Sequence, residues 1–176
     1  MTRAVFLDRD GVINRAHVRE GKPYPPASLK ELEVLPGVPD ALTALRRAGY
    51  LLIVVTNQPD VARGKIPREA VEEINKHLAG ALAIDEFRTC YHDSKDGCDC
   101  RKPKPGSLLA AAKEHAIDLS RSYMVGDRWK DIEAGEMAGC KTVFIDHGYS
   151  EQRPDSYDHR AGSLLQASQI ILGEIK

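Results

Sequence analysis

Two short stretches of this sequence, Ala4-Val5-Phe6-Leu7 and Leu51-Leu52-Ile53-Val54-Val55, contain no polar residue. A strand with one face in water alternates polar and apolar side chains. Runs this short and this uniformly apolar suit strands buried on both faces of a parallel sheet. Ser122-Tyr123-Met124-Val125 and Thr142 to Ile145 read as two further strands, and Phe87 to Tyr91 as a short one. Helical spacing fills the intervals. Val38, Ala41, Leu42, Leu45 and Ala48 make one stripe from Val38 to Ala48, entered through Pro36-Gly37 and stopped by Gly49. Pro67 opens a second helix to about Leu82, with Val71, Ile74 and Leu78 on one stripe. Further helices are expected from Pro105-Gly106-Ser107 through Ala116, from Trp129 to Ala138, and from Leu164 to Ile175. Strands alternating with helices predict an α/β fold, a doubly wound (Rossmann-like) parallel sheet with right-handed crossovers. The 176 residues are expected to form a single domain, 1–176, with a sizeable core.

One segment interrupts this rhythm. Asn14 to Pro36 carries Gly21, Pro23, Pro25 and Pro26 and reads as an irregular excursion, because prolines fix φ and lack the backbone donor. Composition narrows the function classes. The chain is 42% hydrophobic and 29% charged, as ordinary globular proteins are, which argues against disorder. No apolar run approaches the ~20 residues of a membrane span. A net charge of −1 leaves no basic footprint for nucleic acid. The sequence enters a strand at once without a signal-peptide pattern, so a cytoplasmic location is expected.

In an open parallel sheet, ligands bind beyond the carboxyl ends of the strands. Asp8-Arg9-Asp10-Gly11, Thr56-Asn57-Gln58 and Gly126-Asp127 each follow a strand directly and should converge on one rim. Asp8 and Asp10 are one residue apart, so in extended backbone they can face one site, and Gly11 lets the chain turn after them. Like charges that close call for a divalent cation or a shared proton. With Asp127 they form a hard oxygen site suited to Mg²⁺. Thr56 adds a hydroxyl and Arg101-Lys102 two cations. A carboxylate nucleophile, Mg²⁺ and donors for equatorial oxygens are the parts that phosphoryl transfer requires.

The ordered set Asp8-Arg9-Asp10-Gly11-Val12, Val54-Val55-Thr56-Asn57-Gln58, Arg101-Lys102-Pro103 and Gly126-Asp127-Arg128-x-x-Asp131 resembles the four motifs of the haloacid dehalogenase superfamily of phosphatases. The resemblance implies that Asp8 attacks phosphorus to form an aspartyl phosphate, and that Asp10 protonates the leaving oxygen and then activates water. It implies that Thr56 and Lys102 hold and neutralise the transferring group. It also implies that Asp8, the Asp10 main-chain carbonyl and Asp127 bind Mg²⁺, with Asp131 behind them or as a further ligand.

A second constellation precedes Arg101. Cys90, His92, Cys98 and Cys100 bracket a polar, glycine-bearing loop and form a Cys₃His set, the usual closed, structural zinc site. Zn²⁺ there would stiffen the loop that presents Arg101 and Lys102. Cys140, set apart among apolar neighbours, reads as a small core residue. The zinc loop joined to Arg101-Lys102-Pro103-x-Pro105-Gly106 resembles the heptose-bisphosphate phosphatase family and its histidinol-phosphate phosphatase relatives. That likeness implies a small phosphorylated sugar as substrate, the 7-phosphate of heptose 1,7-bisphosphate in the first case, with Asn57, Gln58, Arg101 and Arg128 lining the site. Pro59-Asp60 stands where that family usually has Ser-Gly, Arg128 replaces a lysine, and Arg15 to Pro26 also differs; these changes bear on the substrate, not on the reaction. Neither insertion point leaves room for a cap domain, so an open site is expected, rimmed by the zinc loop and by Arg15 to Pro26. A monomer is expected. Histidinol phosphate is the alternative substrate; a nucleic-acid end is a further one, against which the near-neutral charge and the lack of a basic, aromatic-interleaved stripe count. A receiver-like signalling module also uses an acidic pocket with Thr and Lys, but a persistent phosphoaspartate needs no neighbouring acid such as Asp10.

Overall fold

The computed structural model describes residues 1–173. The chain begins with β1 (Arg3–Leu7), then makes a two-stranded hairpin from β2 (His17–Arg19) and β3 (Lys22–Tyr24). There follow α1 (Val38–Arg47), β4 (Tyr50–Asn57), α2 (Arg68–Ala81) and β5 (Glu86–Cys90). The second half runs through α3 (Gly106–His115), β6 (Tyr123–Gly126), α4 (Trp129–Ala138), β7 (Lys141–Ile145), β8 (His159–Ala161) and α5 (Leu164–Ile171). Six strands form one parallel sheet in the order β5-β4-β1-β6-β7-β8. The first half of the chain winds outward on one side of β1 and the second half on the other, so the direction reverses beside β1.

The uniformly apolar runs are buried on both faces. Val5 and Leu7 of β1, with Leu52 and Val54 of β4, point into a cluster covered by Leu42 and Leu45 of α1, Ile74 and Leu78 of α2 and Leu164 of α5. Their neighbours Ala4, Phe6, Ile53 and Val55 point the other way, onto Leu108 and Ala111 of α3 and Ala138 of α4. Each strand therefore serves two cores through the period-two alternation of its side chains. Cys140 lies buried in the second of them, and burial pushes its thiol up to about 12. No described helix is long and apolar enough to cross a membrane.

Three parts of the fold depart from the sequence reading. The passage Asn14 to Pro36 is not wholly irregular: β2 and β3 pair antiparallel around Glu20-Gly21, both at positive φ (50° and 74°). Two left-handed residues make the turn that matches strand twist, and Glu-Gly is a less familiar version of Asn-Gly. The edge strand β8 was not expected either, because His159-Arg160-Ala161 has neither an apolar run nor alternation. The last helix ends at Ile171, short of the expected Ile175, and Gly173 at φ 76° turns the chain beyond it. Residues 174–176, where that expectation ended, lie outside the described part. No cap domain interrupts the described residues.

Candidate active site

β1, β4 and β6 are adjacent and in register: Leu7 pairs with Val54 on one side and Val125 on the other. The residues just past these positions, Asp8, Thr56 and Asp127, therefore emerge together at the carboxyl edge. Gly11 adopts φ 87° and passes so close to Asp127 that a Cβ there would collide with its carboxylate. A Cβ at Gly126 would likewise strike Asp131. These two glycines allow carboxylates from β1, β6 and α4 to crowd into one space.

Oxygens of Asp8, Asp127 and Asp131 lie within 4.8 Å of one another, and all three residues are buried. Burial, then the charge of Asp131, raises the Asp8 carboxyl to about 6; Asp10 adds to this and Lys102 opposes it. Burial, Asp8 and Asp131 push Asp127 well above the carboxylate range, against a hydrogen bond from Tyr149. Asp127 Oδ1 is buried with no hydrogen-bond partner among the described residues. Crowded carboxylates with an unsatisfied buried oxygen fit a divalent cation, which would take the place of the protons that burial otherwise favours.

Lys102 supplies the local positive charge. It is 1% exposed, and its Nζ donates to Asp131 Oδ1 (2.7 Å), Asp8 Oδ1 (2.9 Å) and the Val55 carbonyl (2.6 Å). All three ammonium protons are thus committed. Burial alone would lower its pKa, but Asp131 and Asp8 outweigh it and keep the ammonium charged. Asp131 uses its second oxygen on the backbone N–H of Arg128 (3.0 Å), fixing the start of α4. It is thereby the partner of Lys102 as much as a member of the acidic cluster.

Asp10 occupies different surroundings. Arg9 Nε (3.1 Å) and Asn14 Nδ2 (3.0 Å) donate to its Oδ1, and Gln58 Nε2 donates to its Oδ2 (2.8 Å). Gln58 is 1% exposed and also donates to Thr56 Oγ1 (3.0 Å), so it lies behind Asp10 and does not line the cavity. Asn57 lines the cavity yet commits its amide to the Lys102 main chain, accepting from its N–H (3.1 Å) and donating to its carbonyl (3.0 Å). The motif after β4 therefore orients both Asp10 and Lys102.

Segment 147–151, after β7, carried no sequence signal but touches four parts of the site. His147 Nε2 donates to the Gly11 carbonyl (2.7 Å), the Tyr149 hydroxyl to Asp127 Oδ2 (2.7 Å) and Ser150 N–H to the Gly21 carbonyl (2.8 Å). Glu151 accepts two hydrogen bonds from Arg128 (2.8 and 2.6 Å). Burial disfavours the Arg128 charge, but Glu151 overrides it and holds the guanidinium protonated.

The site opens into a cavity of about 290 Å³ bounded by Asp8, Asp10 and Lys102 on its floor and by β3 of the hairpin and the following Pro25 on one side. Lys22, Arg63, Lys65, Arg128 and Lys130 also face it. Arg63 is paired with Asp93 (2.8 Å) and Arg128 with Glu151, whereas among the described residues no ion pair engages Lys22, Lys65 or Lys130. Burial and the charges of Arg101 and Arg128 press the Lys130 ammonium pKa downward, a strain that an anion would relieve. Arg101 stays off this wall and donates to the His92 carbonyl (3.3 Å).

The four zinc-type ligands converge. Cys90 Sγ lies 3.7 Å from Cys98 Sγ and 3.5 Å from His92 Nδ1, and Cys100 Sγ lies 3.4 Å from His92 Nδ1. A tetrahedron with Zn–S about 2.3 Å and Zn–N about 2.0 Å has edges of roughly 3.8 Å between sulfurs and 3.5 Å between sulfur and nitrogen. The donor set and its spacing fit that ion. Disulfides play no part, since all four cysteines are free.

Residues 26–139 match the haloacid dehalogenase-like hydrolase family. The D-glycero-beta-D-manno-heptose-1,7-bisphosphate 7-phosphatase of Pasteurella multocida is 38% identical over 189 aligned positions, covering 98% of each chain. The protein of that name from Haemophilus influenzae is 38% identical over 154, covering 80% of this chain and 79% of its own. Among solved structures, D,D-heptose 1,7-bisphosphate phosphatase from B. bronchiseptica, complexed with magnesium and phosphate, superimposes with a TM-score of 0.84. That structure is 28% identical and covers 99% of this chain and 100% of its own.

Proposed function

The chain belongs to the haloacid dehalogenase-like hydrolases, and from that premise we propose that it removes the 7-phosphate of D-glycero-D-manno-heptose 1,7-bisphosphate through an aspartyl phosphate on Asp8. The observation that carries this reading is the different surroundings of two carboxylates one residue apart. Asp8 is held by Lys102 within the acidic cluster, as suits a nucleophile beside a metal. Asp10 is held from the opposite side by Arg9, Asn14 and Gln58, clear of Lys102, as suits an acid and base. The relatives' names support the substrate.

In this reading Asp8 attacks phosphorus while the bond to the sugar oxygen breaks, and Asp10 gives that oxygen its proton. Asp10 then takes a proton from water, whose oxygen attacks the same phosphorus and releases Asp8 and inorganic phosphate. Lys102, its three protons already held by Asp131, Asp8 and the Val55 carbonyl, would act by its charge on the transferring group, and the Thr56 hydroxyl, which accepts from Gln58, would donate to an equatorial oxygen. Asp8, the Asp10 carbonyl and Asp127 would hold Mg²⁺, which supplies charge neutralisation between carboxylate and phosphate. Cys90, His92, Cys98 and Cys100 would hold Zn²⁺ as a structural clip on the loop ending at Lys102. The second phosphate of a bisphosphate suits Lys22, Lys65 and Lys130, the lining cations outside any ion pair.

Phosphate release in Mg²⁺, measured across both heptose bisphosphate anomers, hexose bisphosphates, histidinol phosphate and a phosphorylated oligonucleotide, tests the assignment. A heptose bisphosphate should be preferred, and Asp8→Asn should abolish release without lowering the melting temperature. Preference for another phosphate would overturn the substrate and leave the reaction standing.

A further inference from the structure

Arg9 lies between the two acids in the chain, and its side chain is wholly buried, at 0% exposure. A guanidinium removed from water is tolerated only where its donors are matched. Its Nε faces Asp10 Oδ1 (3.1 Å), and Nη2 lies at the same distance from that oxygen. On the far side Nη1 donates to Asn75 Oδ1 (2.9 Å). Asn75, itself buried on α2, donates in turn to Thr89 Oγ1 on β5 (3.0 Å). Asp10 is thereby tied through Arg9 and Asn75 to α2 and β5, neither of which contributes a group to the cavity floor. With Asn14 on one oxygen and Gln58 on the other, the carboxylate cannot turn about its Cβ–Cγ bond without breaking a hydrogen bond.

We propose that Arg9 is a positioning residue: it fixes the orientation in which Asp10 hands a proton to the leaving oxygen and takes one from water, and Asn75 anchors Arg9 from behind. This rests on the aspartyl-phosphate reading above. A merely structural arginine would fill space and leave proton transfer untouched. Proton transfer depends on orientation, whereas attack by Asp8 on a phosphate ester with a good leaving group needs no acid. The two steps can therefore be separated with p-nitrophenyl phosphate, whose phenolate leaves without a proton.

Rapid acid quench during turnover of radiolabelled p-nitrophenyl phosphate reads the phosphoenzyme, and steady-state kinetics reads overall hydrolysis. In Arg9→Met, formation of the phosphoenzyme should stay within about twofold of the parent, while its hydrolysis slows roughly 10–100-fold, part of the range typical of acid–base catalysis. Labelled protein should then accumulate to a higher steady level than in the parent. Sugar phosphates, whose leaving oxygen does need a proton, should slow in both steps. Asn75→Leu keeps Arg9 and removes its anchor, and should show the same pattern at roughly 3–10-fold, which covers the case where Arg9→Met does not fold. In an Asp10→Asn background neither change should slow hydrolysis further. Losses that multiply with Asp10→Asn, equal slowing of both steps, or unchanged rates with a lower melting temperature would each overturn the positioning role. Absence of label from the parent and from Asp10→Asn as well, where hydrolysis of an aspartyl phosphate is most impaired, would overturn the phospho-Asp8 reading, and the role of Arg9 with it.

Discussion

At Asp8 a bound cation would have to compete with a proton for the carboxylate. Burial and the neighbouring charge of Asp131 put its carboxyl at about 6, above the ordinary value of 3.8. A raised carboxyl pKa means the proton is held to higher pH in the folded protein, so a cation must displace it at any pH below about 6. Mg²⁺ affinity measured by titration calorimetry should accordingly be weaker at pH 5 than at pH 7, with more protons released per ion at the lower pH. An affinity flat across that interval would mean Asp8 is not a ligand. Asp8 and Asp127 were visible in the sequence because each closes an apolar strand, and Asp10 because it stands two residues after Asp8. Arg9 and Asn75 were not, because an arginine between two aspartates reads as a solvated turn, and an asparagine in an amphipathic helix reads as surface. Only packing reveals that both are buried and paired.

Among the elements, the hydrophobic runs announced every central strand, whereas the parts that shape the rim stayed hidden. The β2–β3 hairpin and segment 147–151 contain no apolar run, and their order comes from contacts with distant loops, which leave no periodicity to read. Tyr149 on that segment donates to Asp127, so it orients a carboxylate proposed to hold Mg²⁺. Tyr149→Phe should weaken Mg²⁺ binding by roughly 10-fold, at the low end for loss of a ligand's outer partner, with little change in melting temperature when no metal is present. Calorimetric titration of the variant checks this, and an unchanged affinity would make Tyr149 a packing residue. The convergence of Cys90, His92, Cys98 and Cys100, by contrast, was legible from ligand type and spacing alone. Cys98→Ser should lose zinc by elemental analysis and lower the melting temperature by roughly 5–10 °C, as expected for a loss of about 2–3 kcal/mol in a chain of this size. It should also lower kcat, because the loop leads directly into Lys102. A zinc-free variant with parental activity and melting temperature would remove the structural role.

For the whole molecule, the doubly wound sheet gathers its acids at the reversal beside β1, and no cap closes over them among the described residues. Substrate must then be selected by the walls of an open cavity, and in this chain the walls are cationic while the floor is acidic. A phosphate at Asp8 and another anion on the wall would satisfy both; a monophosphate would leave the wall cations unmatched. Lys130 is the sharpest test. It is half-buried, without an ion-pair partner among the described residues, and depressed in pKa by burial, Arg101 and Arg128. An anion reaching it would gain a charge-assisted hydrogen bond of about 1.5–3 kcal/mol, and about 1.4 kcal/mol corresponds to a tenfold change in affinity. Lys130→Ala should therefore raise KM for the heptose bisphosphate roughly tenfold with kcat nearly unchanged, and should leave KM for a matching sugar monophosphate within about twofold. The difference should shrink as salt screens the half-buried site. Equal effects on both substrates would mean that Lys130 serves the reacting phosphate, and that the selectivity of this open site lies in another of its lining cations.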